Sequence, residues 1–472
     1  MSDPAGLARI ARERFGYDEL LPGQHAAMSS VVDGRDTLVI MPTGSGKSAI
    51  YQVAGLALDG PTIVVSPLIA LQRDQVDALR ETDDGDAEQV NSTIPAARRD
   101  ATLERVADGD VEFVFLAPEQ LANDDTLAQV RAAAPSLFVV DEAHCISAWG
   151  HDFRPDYMRL GDVVEELGRP TVLAMTATAS PAVRDEIVER LRMRSPAVVV
   201  RGFDRPNIEL AVRLFADEGA KHRAALDELA GAAPPGIVYV ATKRRAEQLS
   251  AELWERGVQA VYYHGGMTRT ERDAAQGAFM DGAFDVVVAT AAFGMGIDKP
   301  DVRFVYHYDV PDSIDSYYQE IGRAGRDGEP ARAVLFYRAA DLGLRRFFAA
   351  TGDAGSARRR LEESRLDMMR SYAETQHCRR GFVLNYFGEG FDPPCGCCDN
   401  CLAGAVSDDG ERPFALGDTV VHAEWGPGCV VRYEGGKMTV LFESCGYRTL
   451  WLEAVAARGL LAPGDAPGRR ST

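Results

Sequence analysis

Residues 37–48 read TLVIMPTGSGKS. A short run of β-favouring apolar residues enters a glycine-rich turn, and the turn opens into a helix-like stretch. That strand–loop–helix context gathers backbone N–H groups around phosphate oxygens at a helix N-terminus. Gly44 and Gly46 carry no Cβ, so the backbone can close on the phosphates. Lys47 brings a point charge to the β and γ oxygens, Ser48 offers a hydroxyl to Mg²⁺, and Thr43 and Ser45 complete the loop. Met41 stands where the general motif has its first glycine. An ordinary flexible turn has no need of Gly-Lys-Ser at the mouth of a helix, so a nucleotide triphosphate is the expected ligand.

Outward from this loop the same rhythm repeats. TIVVS near Val64, EFVFLA near Phe115, LFVVDE near Val139 and TVLAMTAT near Leu173 are apolar runs separated by helix-like spacers. Such alternation predicts a parallel sheet with helices on its faces. After residues 203–207 (FDRPN) it restarts with GIVYVAT, VQAVYYHG, FDVVVAT, RFVYHYD and ARAVLFY, which predicts a second α/β domain. From about Asp341 the chain turns helical and arginine-rich until a cysteine cluster. Residues 404–412 (GAVSDDGER) resemble a linker, and the β-favouring stretch from Thr419 to Val455, broken by glycine turns, predicts a small SH3- or Tudor-like β-barrel. The expected division is 1–205 and 206–340 for two parallel-sheet domains, 341–403 for a helical zinc-binding module, 404–412 for the linker, 413–458 for the barrel and 459–472 for a disordered tail.

Composition sets bounds. A chain of 472 residues exceeds one core. Neither the opening residues nor any later run has the apolar length of a secretion signal or a membrane span, so the expected location is the cytoplasm, nucleoid-associated if bacterial, with no membrane partner. The formal charge of −20 counts against nucleic-acid binding by the bulk field, and any phosphate contact must come from local basic patches. Lysine is scarce, which makes its retention at Lys47 pointed.

Three further clusters carry chemistry. Asp141 and Glu142 end the LFVV run, which places their carboxylates at the C-terminal edge of the sheet, where open α/β folds bind ligands. There Asp141 would hold Mg²⁺ and Glu142 would activate water, although such a pair standing alone is as often a solvated loop. Residues 319–326 (QEIGRAGR) present Gln319, Arg323 and Arg326, whose guanidiniums can reach a γ-phosphate held by the first domain, a geometry that couples hydrolysis to domain motion. Cys378, Cys395, Cys398 and Cys401, the last three at two-residue intervals, form a closed tetrahedral zinc set. Cys397 sits beside them as a competitor; Cys145, Cys429 and Cys445 are expected to be packed residues.

These motifs resemble helicase superfamily 2, through DEAH at 141–144 and QEIGRAGR. The stretch CISAWGHDFRPDY at 145–157 is similar to the aromatic-rich loop of RecQ helicases. The resemblance extends from about residue 15 to residue 401 and includes FGYDELLPGQ (15–24), SPLIALQRDQ (66–75), NST (91–93), MTATA (175–179), HGGM (264–267) and ATAAFGMGIDKPDVR (289–303). It implies two RecA-like domains, ATP with Mg²⁺, zinc, and 3′-to-5′ travel on single-stranded or partly duplex DNA in repair or recombination. Tyr17 and Gln24 would face the adenine, Gly296 and Asp298 would join the nucleotide site, and Arg326 would be the arginine finger. Trp149, His151, Phe153 and Arg154 would meet DNA, and their mixture of rings and cations also suits stacking on unpaired bases. Two departures stand out: Leu21 replaces the family's arginine before Pro-Gly-Gln, and no winged-helix module is recognisable, so the β module is left to recruit a protein partner. The rival readings are a single-strand-stimulated ATPase or annealing module that does not unwind alone, and an RNA helicase.

Overall fold

The computed structural model describes residues 4–67, 69–81, 87–91, 94–147, 152–294, 297, 299–351, 356–404 and 412–464. The chain forms two compact units, Met1–Gly202 and Phe203–Thr472.

In the first unit seven strands, β1 (Thr37–Ile40), β2 (Thr62–Val65), β3 (Ala87–Val90), β4 (Phe113–Leu116), β5 (Leu137–Val140), β6 (Thr171–Thr176) and β7 (Ala197–Val200), form one sheet in the order β3-β4-β2-β5-β6-β1-β7. All its pairings are parallel. β1, β2, β4 and β5 are buried at every position, which is why they read as unbroken apolar runs: helices cover both faces. Tyr51, on the helix Lys47–Gly55, meets Phe113 and Phe115 edge-on at 6.3 and 6.2 Å and locks that helix to the sheet. The order matters for function, because β5, β6 and β1 are neighbours and the loops at their C-terminal ends open side by side.

The second unit begins with a six-stranded parallel sheet of β8 (Ile208–Leu214), β9 (Gly236–Tyr239), β10 (Ala260–Tyr263), β11 (Val286–Ala289), β12 (Phe304–His307) and β13 (Ala331–Tyr337), ordered β10-β11-β9-β12-β13-β8. The expectation of two parallel-sheet domains is met. The helices Asp341–Thr351, Ser356–Glu374 and Arg379–Tyr386 follow, and the cysteine-bearing turn Asp399–Leu402 closes this helical module.

A five-stranded antiparallel sheet completes the unit: β14 (Thr419–His422), β15 (Gly426–Glu434), β16 (Lys437–Phe442), β17 (Gly446–Trp451) and β18 (Leu461–Pro463), ordered β17-β16-β15-β14-β18. Gly435 and Gly436, at φ +54° and +75° between the paired Glu434 and Lys437, make the two-residue hairpin turn that only residues tolerating positive φ can build. Its core gathers Val420, Val430, Tyr433, Met438, Val440 and Phe442. The stretch expected as a tail is ordered in its first part: β18 pairs with β14, because Leu461 completes the small core. Residues 465–472, and 405–411 of the linker, lie outside the described residues.

Candidate active site and metal centre

The phosphate loop is built by β1 and the helix that follows it. Gly44 and Gly46 lie at φ +77° and +68°, conformations that put backbone N–H groups on one side of the turn and that a side chain would strain. Ser45 Oγ donates to the Pro42 carbonyl at 2.6 Å. Lys47 Nζ donates to the carbonyls of Met41 and Pro42 at 3.1 and 3.2 Å, so the ammonium lies folded over the loop. Gln24 braces the loop from behind: its Nε2 donates to the carbonyls of Ser45 and Gly46, each at 3.0 Å, while its Oε1 accepts from the Leu21 N–H at 2.9 Å. Tyr17 is more exposed, donates to Gln52 Oε1 at 3.2 Å, and stacks on Phe15. Gln75 Nε2 donates to Ser48 Oγ at 3.4 Å and Oε1 accepts from Tyr51, which aims the serine hydroxyl.

Asp141 and Glu142 leave the end of β5. The Asp141 N–H is held by the Val65 carbonyl at 2.8 Å, and the Glu142 N–H donates back to Asp141 Oδ1 at 3.0 Å. Glu142 sits at φ +47°, a left-handed conformation that costs a non-glycine residue about 1–3 kcal/mol and clusters at functional sites. Burial raises the Asp141 pKa, the Glu142 carboxylate raises it further, and Lys47 opposes both. The unfavourable pair of carboxylates and the nearby lysine thus form one electrostatic group.

His144 ties this pair to the strand between. Its Nδ1 lies 3.2 Å from Glu142 Oε2 and 2.9 Å from Thr176 Oγ1, on β6. Burial alone would lower the imidazole pKa, but Cys145 and Glu142 beside it raise it well above the usual value. Thr176 Oγ1 in turn donates to the Thr178 carbonyl at 3.0 Å. The phosphate loop after β1, the acidic pair after β5 and the Thr176 hydroxyl on β6 therefore share one edge of the sheet.

Of the aromatic-rich stretch, Trp149 and His151 lie outside the described residues. Phe153 and Arg154 are half-buried. Arg154 donates to the Pro67 carbonyl at 2.9 Å and to Asp152 Oδ2 at 3.0 Å, and Tyr157 Oη donates to the Asp141 carbonyl at 3.1 Å. The stretch is thereby fastened at one end to the acidic pair. Neither Tyr157 nor Thr176 was singled out by motif reading, although both stand in quoted motifs; their hydroxyl contacts are the signal, and only the fold supplies it.

In the second unit Gln319 lies near the end of the helix Ile314–Ile321, and Arg323 and Arg326 follow it. Arg323 is 6% exposed and lies against Tyr239; Arg326 is half-buried. The turn bearing them is gripped by the FDRPN segment. Arg205 donates to the carbonyls of Gly322, Ala324 and Gly325 at 3.2, 2.8 and 2.8 Å, and Asn207 to those of Gly325 and Glu329 at 2.8 and 2.9 Å. Gly325, at φ +55°, has no room for a Cβ against Asn207. Gly296 and Asp298 lie outside the described residues.

The sulfur atoms of Cys378, Cys395, Cys398 and Cys401 lie within 4.8 Å of one another. Cys395 and Cys401 Sγ are 3.8 Å apart, which is the edge of a tetrahedron whose metal–sulfur bonds are about 2.3 Å. Backbone N–H groups of Gly381, Cys398 and Cys401 donate to Cys378, Cys395 and Cys398 at 3.3–3.4 Å, the pattern that stabilises thiolates. The four residues fit zinc. Cys397 lies beside this set: its Sγ accepts from Arg380 at 3.1 Å and stands 3.8 Å from Cys395 Sγ.

Comparisons with known proteins agree with this layout. Residues 21–187 match the DEAD/DEAH box helicase family model, 220–328 the helicase conserved C-terminal domain, and 339–402 the RecQ zinc-binding domain. The chain is 40% identical over 398 residues to the ATP-dependent DNA helicase RecQ of Pasteurella multocida (strain Pm70), covering 84% of this chain and 62% of that protein. It is 39% identical over 339 residues to the probable ATP-dependent DNA helicase RecS of Bacillus subtilis (strain 168), covering 72% and 68%. Among solved structures, the DUF1998 helicase MrfA bound to DNA superposes with a TM-score of 0.59 at 18% identity, over 74% of this chain and 54% of that one, a likeness of fold alone. With two relatives so similar and the helicase and zinc modules matched in series, the chain belongs to the RecQ family of helicases.

Proposed function

We propose that this chain is an ATP-dependent DNA helicase that couples hydrolysis to 3′-to-5′ movement along single-stranded DNA. The observation that carries the reading is the shared sheet edge at which the phosphate loop, the Asp141–Glu142 pair and the His144–Thr176 bridge meet. Lys47 and the N–H groups of residues 44–48 bind the β- and γ-phosphates, Glu142 takes the proton from the attacking water, and Arg326 offsets charge on the γ-phosphoryl group as it transfers. Ser48 and Asp141 would hold Mg²⁺, whose charge would relieve the raised pKa of Asp141 and neutralise phosphate oxygens. Cys378, Cys395, Cys398 and Cys401 would hold zinc as a structural cross-link. Tyr17 and Gln24 serve the base end of the nucleotide, with Gln24 reporting its presence to the loop it braces.

For DNA, Phe153 and Arg154, with Trp149 and His151 beside them in sequence, are the proposed stacking and phosphate contacts of the first domain. In the second, the helix Lys243–Glu255 begins beside HGGM: a Cβ on Gly266 would stand 2.9 Å from Lys243 Nζ. That closeness suits a backbone phosphate drawn to the ammonium across a glycine surface that leaves it room, a local basic site within an acidic chain. The strand order of the C-terminal sheet, with the short helix Leu452–Arg458 before the last strand, supports an SH3-like small barrel. Among the described residues no helix is long and apolar enough to cross a membrane; a cytoplasmic, nucleoid-associated location fits a DNA motor.

The test is ATP hydrolysis by the wild-type chain with and without single-stranded DNA. Stimulation by DNA, lost in Lys47→Ala and Glu142→Gln while DNA binding persists, is expected. Wild-type turnover in either variant would defeat the assignment.

A further inference from the structure

The helix Ile314–Ile321, which delivers Gln319, Arg323 and Arg326, is held by side chains from outside its own sheet. Tyr317 Oη lies 2.9 Å from Tyr372 Oη, on the helix Ser356–Glu374. The Tyr318 ring packs at 4.9 Å on Phe387, which stacks at 4.5 Å on Phe203. The first turn is held from farther away still. Asp315, 3% exposed, accepts a hydrogen bond from Tyr386 Oη of the zinc module, and Tyr386 Oη is 2.8 Å from Tyr447 Oη, on β17 of the antiparallel sheet.

The direction of this chain of hydroxyls follows from its end. A carboxylate accepts and does not donate, so the single Tyr386 proton goes to Asp315, and Tyr447 must donate to the Tyr386 oxygen. Both tyrosines are buried, so neither hydroxyl has water as an alternative partner, and loss of one bond is felt by the next. The sheet is also docked broadly at this end. The Arg432 guanidinium lies 3.8 Å over the Phe382 ring, Glu434 accepts from Thr375, and Gly446 leaves no room for a Cβ against Ser364. The last family match ends at residue 402, before the sheet begins.

We propose that the C-terminal antiparallel sheet is a working part of the ATPase: Tyr447, acting through Tyr386 and Asp315, is a positioning residue for the arginine-bearing segment 319–326. The proposal rests on the ATPase reading above and adds to it that the sheet sets how the arginines meet the transferring phosphoryl group. Tyr447 touches no substrate, so its influence falls on turnover and leaves nucleotide affinity alone.

The experiment uses the full chain with Tyr447→Phe, Tyr386→Phe and the double variant, each keeping its ring and losing only oxygen. DNA-stimulated kcat, KM for ATP, zinc content and thermal midpoint are measured well below that midpoint. Tyr447→Phe is expected to lower kcat about three- to tenfold, the scale of one buried hydrogen bond, with KM and zinc content unchanged. The double variant should lose no more than the larger single loss, because both act through Asp315. A wild-type kcat in Tyr447→Phe, even with a lowered midpoint, overturns the proposal and leaves a purely structural contact; losses in kcat that multiply in the double variant overturn it as well. Absence of DNA-stimulated hydrolysis in the wild type would instead remove the ATPase reading, and this proposal with it.

Discussion

Thr176 Oγ1 stands 2.9 Å from Nδ1 of His144, linking the middle strand of the site to the residue that also faces Glu142. The contact joins the acidic pair to β6 through side chains alone. Thr176→Val keeps the shape and removes the hydroxyl, leaving a buried imidazole nitrogen without that partner. Steady-state kinetics should show kcat down on the order of tenfold, the cost of an unsatisfied buried group, with KM for ATP unchanged. A change in KM alone would place the contact in binding and not in turnover.

At Gly46 two constraints coincide. Its φ is +68°, and a Cβ there would lie 2.6 Å from Gln24 Nε2. Gly46→Ala must therefore both strain the loop, at a cost of about 1 kcal/mol or more, and push Gln24 from its carbonyls. Titration with a fluorescent ATP analogue should show binding weakened at least tenfold, while circular dichroism stays that of the wild type. Gln24→Ala, which removes the brace and the base contact proposed for Gln24 but leaves the loop backbone unstrained, should weaken binding less.

The cysteine cluster separates ligands from a neighbour. Cys398→Ser removes a sulfur from the tetrahedral set and should abolish stoichiometric zinc and lower the thermal midpoint. Cys397→Ser alters the contacts with Arg380 and Cys395 but keeps all four sulfurs of the set, and should keep full zinc. Metal release quantified with a colorimetric chelator checks both; zinc loss in Cys397→Ser would redraw the set.

The Arg205 and Asn207 grip on the arginine turn predicts a local effect. Asn207→Ala removes two bonds, to the Glu329 carbonyl and to the Gly325 carbonyl that Arg205 still holds, and should reduce kcat several-fold, at about 1 kcal/mol per lost hydrogen bond, with little effect on DNA affinity measured by fluorescence anisotropy.

Much of this was legible in the sequence, and the physical reasons for the rest are specific. The strands buried on both faces announced themselves as apolar runs, and the phosphate loop, acidic pair and cysteine spacing are short-range patterns that survive without tertiary context. The three strands of the parallel sheets that pattern reading passed over, β3, β7 and β8, all lie at sheet edges. The residues AEQV of β3 lack the apolar run that burial on two sides imposes, and those of β7 alternate between half-buried and exposed. β18 was lost in a stretch rich in alanine, proline and glycine, where three residues pair only because β14 is there to receive them. Thr176, Tyr157 and Tyr447 act through hydroxyls whose partners lie 32, 16 and 61 residues away, distances at which no local pattern carries information.

The central claim is that these sites drive a motor along one strand of DNA. Its most direct test is ATP-dependent strand separation on a duplex with a 3′ single-stranded tail, set beside the same duplex with a 5′ tail, with hydrolysis recorded in the same samples. Separation confined to the 3′-tailed duplex, with hydrolysis stimulated by the tail, is the predicted result. Hydrolysis that DNA does not stimulate, or separation that proceeds only from the 5′ tail, would contradict the account.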